Sequence, residues 1–250
     1  MNGDGSIEGR QAVTEALRAG IPLDKVYILK GEASPALARV AALAREAGTP
    51  VVSADRRKLD EMSLTRSHQG VIASVPATGY ADVGDIIEAA RSKGEPPLII
   101  VCDGISDPHN LGAIIRTAEA SGAHGVVIPK RRSAGLTATV AKTSAGAVFH
   151  LPTARVTNVT AALGELKALG LWIYGASPDG DKDLWETDFT GPSAIVIGSE
   201  GRGLGRLVAE NCDFSVKIPM SGELSSLNAS VSAAVLIYEA LRQRAPSARR

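Results

Sequence analysis

Ala194 to Arg244 reads AIVIGSEGRGLGRLVAENCDFSVKIPMSGELSSLNASVSAAVLIYEALRQR, and this stretch decides the fold. Ala194 to Ile197 is a short apolar run of strand character that stops at Gly198. The glycine-punctuated turn Gly198-Ser-Glu-Gly-Arg-Gly follows it. A second strand-like run, Phe214 to Ile218, ends at Pro219 and is followed by the polar loop Ser221-Gly-Glu-Leu-Ser-Ser-Leu-Asn. Beyond it, Val231, Ala234, Val235, Tyr238 and Leu241 have the spacing of one helix face. Two strands thus deliver two loops rich in Gly, Ser and Asn towards a helix start. Ligands of open α/β sheets bind at such carboxyl-end loops.

Working back along the chain, strand and helix patterns alternate. Strand Leu98–Cys102, a helix near Leu111–Ala120 and strand Gly125–Ile128 come first. The basic turn Lys130-Arg-Arg, helix-like Thr137–Ser144 and strand-like Val148–Leu151 follow. A helix near Val159–Leu169 and strand Leu171–Tyr174 lead into the decisive stretch. This alternation predicts βαβ units and a mostly parallel sheet over residues 97–250. Residues 1–76 form a smaller α/β unit with a helix around Ala12–Leu17, strand Val26–Leu29 and helix Ala36–Ala47. Pro50-Val-Val, a basic turn Arg56-Arg-Lys and the run Gly70–Val75 complete it. Residues 77–96, with Gly79, Gly84, Gly94 and Pro96 around one short amphipathic helix, have the composition of a linker. The tail from Gln243 is expected to be loose.

The chain has 250 residues, 44% of them hydrophobic and 22% charged, which is the composition of a water-soluble globular protein. A formal net charge of +0 gives no bulk attraction to polyanions, so any such binding must come from local patches. Two cysteines, Cys102 and Cys212, and four histidines show no metal-ligand spacing, so no metal is expected. The start MNGDGSIEGRQAV has no basic region or apolar core, and no apolar run is long enough to span a bilayer. A cytoplasmic protein without a membrane partner is expected.

The chemistry-bearing residues fall in three places. Asp107-Pro-His-Asn-Leu-Gly-Ala-Ile-Ile-Arg joins a strand to a helix whose buried stripe is Leu111, Ile114, Ile115 and Ala118. Arg116 points away from that stripe, beside the small residues Gly112 and Ala113, as a substrate-facing arginine would need. A solvated surface arginine fits the same spacing, and so does a capping role for Asn110. The turn at 198–205 is neither G-x-G-x-x-G nor a P-loop. Glu200 in it would repel phosphate and favour a ligand with hydroxyls or an amine. Ser225, Ser226 and Asn228 precede the last helix, where capping needs only one such residue.

Taken together, Asp107–Arg116, Ile197-Gly-Ser-Glu-Gly-Arg-Gly-Leu and Ile218-Pro-Met with Ser225-Ser-Leu-Asn-Ala-Ser-Val resemble the motifs of the TrmH-like ribose 2′-O-methyltransferases of the SPOUT class. Ile7-Glu-Gly-Arg-Gln-Ala-Val and His68-Gln-Gly-Val-Ile-Ala resemble that family's substrate-binding domain. The resemblance implies an α/β fold ending in a trefoil knot, with S-adenosylmethionine as cofactor. It also implies a homodimer whose sites draw on both chains, acting on a guanosine ribose of large-subunit ribosomal RNA. Other RNAs, an adenosine target conferring antibiotic resistance and a catalytically silent RNA binder share the motifs. Arg116 is then the main catalytic residue, with Asn110 and Glu200 fixing it and the nucleotide, and Ser226 and Asn228 positioning the ribose. Gly198, Ile218, Leu227, Ser199, Gly201, Met220 and Ser225 are expected to hold the cofactor. Arg56, Arg57, Lys58, Arg66 and His68 are expected to meet RNA.

Overall fold

A computed structural model describes residues 6–31, 34–63 and 67–245. The chain divides into two compact units, Met1–Gly79 with Gly135–Ala138, and Tyr80–Ala134 with Thr139–Arg250.

In the first unit, β1 (Ser6–Glu8), β2 (Lys25–Leu29), β3 (Val51–Ala54) and β4 (Val71–Ser74) form a mixed sheet of order β1-β4-β2-β3. Helices α1 (Arg10–Arg18) and α2 (Pro35–Glu46) bury Val13, Leu17, Leu37, Val40 and Ala44 against Val26, Val71 and Ala73. Ile72, one residue from Ala73 on β4, points to the other face and meets Leu59 and Ala54. Leu59 belongs to α3 (Arg56–Met62), so the expected basic turn is a helix. Asp55 caps it by accepting from Lys58 N at 2.8 Å, and Leu59 gives it a buried face.

The second unit is built on seven strands, β5 (Leu98–Asp103), β6 (Gly125–Pro129), β7 (Thr153–Val156), β8 (Trp172–Ala176), β9 (Lys182–Asp183), β10 (Ser193–Gly198) and β11 (Phe214–Lys217). Their order is β7-β6-β5-β10-β8-β11-β9, and every pairing is parallel. β10 inserts between β5 and β8, and β11 between β8 and β9. The central strands are continuous apolar runs because a parallel sheet is covered on both faces. Ile99, Val101, Ala194 and Val196 face α4 (Val83–Ser92), α7 (Val159–Ala168) and α8 (Arg206–Glu210). Their alternate neighbours, Ile100, Ile195 and Ile197, are fully buried on the opposite face. Helices α5 (Pro108–Ala120) and α9 (Ala229–Arg244) pack on each other, and α9 lies on β10. The short helix α6 (Ala138–Thr143) lies beside α5: a Cβ on Gly112 would fall 1.9 Å from Thr143 Oγ1.

Several expectations differ from what is observed. Residues 77–96 are not a plain linker, because α4 sets Val83, Ile86, Ile87 and Ala90 into the second unit's core. Val148–Leu151 is not a strand. Gly146, in left-handed conformation, opens a single 3₁₀ turn at Ala147–Phe149, and the strand follows Pro152. In α9 the helix face expected from Val231, Ala234, Val235, Tyr238 and Leu241 is not the core face, since none of the five is buried. Ala229, Ala233, Leu236, Ile237 and Ala240 are buried, while Val231 and Tyr238 are 46% and 50% exposed. The helix is apolar on two sides, so periodicity does not single out the inner one. Of the tail, Arg244 is anchored, its guanidinium donating to Pro96 O at 2.7 Å and Phe189 O at 2.8 Å, while residues 246–250 lie outside the described residues.

Candidate active site

β10 ends where the backbone must reverse at once. Ser199 and Gly203 exchange N–H···O bonds of 3.0 and 2.9 Å, closing a tight turn. Gly201 and Gly203 lie at φ 77° and 64°, a region that disfavours side chains. Gly198 is required for a different reason. A Cβ there would fall 2.2 Å from Gly203 C and 2.5 Å from Leu204 N. Its smallness therefore serves the turn itself. Asp103, at the end of β5, accepts from Gly205 N at 2.7 Å and fixes the turn's far side.

Three loops enclose a cleft of about 690 Å³: the turn after β10, residues 218–228 after β11, and Ala176–Asp179 after β8. Gly198, Ser199, Glu200, Gly201, Ile218, Met220, Ser225, Ser226, Leu227 and Asn228 all line it. The β8 loop is the part that sequence reasoning missed. Its signal was present, since Gly175-Ala-Ser-Pro-Asp-Gly is a turn-forming run at a strand's carboxyl end. Close packing sets this wall. A Cβ on Gly175 would meet Cys212 Sγ at 2.7 Å, and one on Gly180 would meet Lys217 N at 2.6 Å. Two apolar side chains of the cleft lining, Met220 and Leu227, are 38% and 36% exposed. Exposed apolar groups rimmed by Ser and Asn suit a site that a partner or ligand covers.

At one end of the cleft the three sequence motifs meet. The Asn110 and Asn228 amide groups each donate to Glu200 Oε1 at 2.6 Å, and Asn228 also donates to Asn110 Oδ1 at 3.2 Å. Asn228 Oδ1 accepts from Ser230 N, Ser230 Oγ and Val231 N, so the same side chain caps α9. Asn110 is buried and does not cap α5. That role falls to Asp107, which accepts from His109 N at 2.9 Å. The carboxylate–amide cluster orients groups rather than attacking them. Cys212, also on the cleft, is no nucleophile. Burial pushes its thiol up to about 11, and its Sγ is bonded to Val208 O.

Arg116 stands apart. It is exposed, lies outside the cleft lining, and makes no hydrogen bond or ion pair among the described residues. Asn110 and Glu200 therefore hold each other, not Arg116 as expected. The space foreseen beside Gly112 is filled by Thr143. In the first unit, His68 is buried and structural rather than RNA-facing. Gly70 N donates to its Nδ1 at 3.0 Å, which leaves the proton on Nε2 for Asp60 Oδ1 at 3.0 Å. Arg56, Arg57 and Lys58 are exposed on α3, with Arg57 paired to Glu61 at 2.9 Å. Arg66 lies outside the described residues. Among the described residues no group of three His, Cys, Asp or Glu is placed to hold a metal ion. No described helix is long and apolar enough to cross a membrane.

Comparison with known proteins places this geometry in context. The sequence model of the SpoU rRNA methylase family matches residues 97–238. That of the RNA 2′-O ribose methyltransferase substrate-binding domain matches residues 6–81. A putative TrmH family tRNA/rRNA methyltransferase of Bacillus subtilis, YacO, is 48% identical over 95% of both chains. The SpoU methyltransferase AviRb from Streptomyces viridochromogenes, solved in complex with AdoMet, is 30% identical at a TM-score of 0.60. That alignment covers 96% of this chain and 90% of AviRb. A solved RNA 2′-O ribose methyltransferase is 32% identical at a TM-score of 0.57, covering 96% and 88% of the two chains.

Gly198→Ala tests the cleft's construction. Forcing a methyl into backbone at 2.2 Å should cost about 1–3 kcal/mol or more and lower the melting temperature by several degrees. Gly201→Ala, with nothing near its Cβ position, should cost about 1 kcal/mol through its φ alone. Equal melting curves for Gly198→Ala and wild type would show that the turn relaxes freely.

Proposed function

Because the chain belongs to the SpoU rRNA methylase family, we propose that it transfers a methyl group from S-adenosylmethionine to a ribose 2′-hydroxyl of ribosomal RNA, at a guanosine of the large subunit. The observation that carries this reading is the Asn110–Glu200–Asn228 cluster, which joins all three motifs at one end of the cleft.

The cleft suits the cofactor on its own terms. Ile218, Leu227 and Met220 offer an apolar bed for a purine, and Asp179 and Glu200 bring carboxylates to a pocket suited to a cation. Ser199, Gly201 and Ser225 supply backbone and hydroxyl groups around it. When bound, S-adenosylmethionine supplies a methyl group activated by its sulfonium. The remaining work falls to the chain's own side chains. A ribose hydroxyl is a poor nucleophile, so the site must hold it in line and favour its alkoxide. Ser226 and Asn228, at the cleft wall, orient the ribose. The Arg116 guanidinium is charged at every working pH and cannot act as the base. Its role is to stabilise the developing oxyanion, with an RNA phosphate as proton acceptor.

Arg116 lies outside its own chain's cleft, and α9 leaves Val231 and Tyr238 exposed. Both support a homodimer in which a second copy completes each site. The trefoil knot is supported by the insertion of β10 and β11 between strands already laid down. For substrate choice, the match of residues 6–81 to a substrate-binding domain supports the first unit as the RNA reader, with Arg56 and Lys58 unpaired and exposed. Transfer RNA is the second reading, favoured by the double designation of YacO. Mapping 2′-O-methyl groups in RNA from cells with and without the gene separates the two, and equally exposes an adenosine target.

Three measurements test the proposal. Arg116→Ala should keep cofactor affinity and lower turnover at least about a hundredfold, and near-wild-type turnover would remove Arg116 from the chemistry. A chain beginning at Tyr80, which keeps α4 in the core, should fold and bind S-adenosylmethionine yet lose site-specific methylation. Unchanged methylation of the same nucleotide would show that the first unit is not the reader. Light scattering should give twice the chain mass, with Tyr238→Glu shifting it towards the monomer; a monomeric wild type would sink the shared site.

A further inference from the structure

The basic turn after β6 has no part in the mechanism above, and its setting is unusual. Lys130, Arg131 and Arg132 follow one another, and Arg131 and Arg132 are exposed. None of the three has an acidic partner among the described residues. Elsewhere in the same unit Lys167, Lys217, Arg206 and Arg242 pair with Asp213, Asp183, Glu210 and Glu239, while Lys93, Lys142 and Arg202 stand singly in sequence without an ion pair among the described residues. The nearest acids along the carboxyl edge, Asp103 and Asp107, have carboxylate oxygens engaged by Gly205 N and His109 N.

The turn is held rather than loose. Lys130 N donates to Val156 O at 2.8 Å, and Ala134 N donates to Ile105 O at 2.8 Å. Ser133, buried, donates its hydroxyl to Ile105 O at 3.1 Å. Between these anchors Arg132 sits at φ 56°, left-handed backbone that non-glycine residues rarely adopt. The turn also touches the catalytic edge. A Cβ on Gly104 would fall 3.7 Å from Arg132 O and 3.6 Å from Ser199 Cβ, so one glycine separates the basic turn from the β10 turn. Because β6, β5 and β10 are parallel neighbours, the two turns leave the same edge, about 10 Å apart at the usual strand spacing.

The geometry points to Lys130–Arg132 as an RNA phosphate-binding element of the methyltransferase unit itself, gripping the strand within a few nucleotides of the one being modified. At about 3.4 Å of rise per nucleotide, 10 Å is a span of roughly three. The assignment rests on the RNA methyltransferase reading and adds where the backbone runs. Guanidinium groups on a held backbone, without ion pairs among the described residues, match phosphate oxygens and break no ion pair on binding. A chain of zero net charge has to place such cations locally, beside its site.

The test uses the full chain, with a protein-free transcript of large-subunit ribosomal RNA and bulk transfer RNA as separate probes. Arg131→Ala/Arg132→Asn keeps a residue that tolerates left-handed backbone at 132. On whichever RNA the wild type binds, this variant should bind about tenfold more weakly. The slope of log affinity against log salt should flatten by about 1.5, roughly 0.7–0.9 for each lost phosphate contact. Affinity for S-adenosylmethionine should not change. Arg131→Ala alone, at a position without backbone strain, should flatten the slope by about half as much. Wild-type affinity and slope in both variants would overturn the assignment while leaving the RNA methyltransferase reading intact. A wild type that binds neither RNA and methylates neither would overturn both.

Discussion

One carboxylate oxygen, Glu200 Oε1, accepts two amide donors at 2.6 Å, and the arrangement of the whole site follows from that contact. Asn110 arrives from the first turn of α5, Asn228 from the cap of α9, and Glu200 from the turn after β10. Each belongs to a different loop and a different part of the sequence. Asn110 is buried while Glu200 and Asn228 are exposed, so charge-assisted bonds tie two exposed groups to a buried one. Removing Asn110 would leave Glu200 and Asn228 bonded only to each other, and removing Glu200 would take away the acceptor that both amides share. The turn bearing Glu200 is in turn confined by the missing Cβ of Gly198 and by Asp103. Orientation at this site is thus a property of the packed sheet edge, not of any single loop.

Much of this was legible in the sequence, for identifiable reasons. Apolar runs at Leu98–Cys102 and Ala194–Ile197 could only be strands covered on both faces, and they are the two adjacent central strands of the sheet. The turns that follow carried Gly, Ser and Asn where a ligand edge needs them, and all ten residues expected there from 198 to 228 line the cleft. What stayed hidden depends on partners distant in sequence. His68 looked like part of a basic cluster, but Asp60 and Gly70 N claim both its ring nitrogens. Gly112 looked like open space until Thr143 was found against it. In α9 both sides are apolar, and only the burial pattern tells the core face from the face left in water.

The two units use charge differently. The sheet unit neutralises some of its surface cations within a turn of helix or across a strand pair, as in Arg206–Glu210 and Lys217–Asp183. Such exposed pairs contribute little to stability, and their effect is to keep the unit's field weak except where cations are left bare. Among the described residues Arg116 and the Lys130–Arg132 turn are left bare, as are Lys93, Lys142 and Arg202. A weak background field favours selectivity, because a polyanion then gains from docking in one register only.

The insertion of β10 between β5 and β8 has a consequence for how the protein is made. β10 is made after both of its sheet neighbours, so in the nascent chain β5 and β8 emerge before the strand that lies between them. The backbone groups along their facing edges, Ile99 to Val101 and Ile173 to Tyr174, are paired only once β10 arrives. The first unit shows the same order on a smaller scale, since β4, its last strand, inserts between β1 and β2. Synthesis thus delivers a central strand of each sheet after both of that strand's neighbours. The growing polypeptide must remain open along its middle, with sticky strand edges exposed, until its final fifth has left the tunnel.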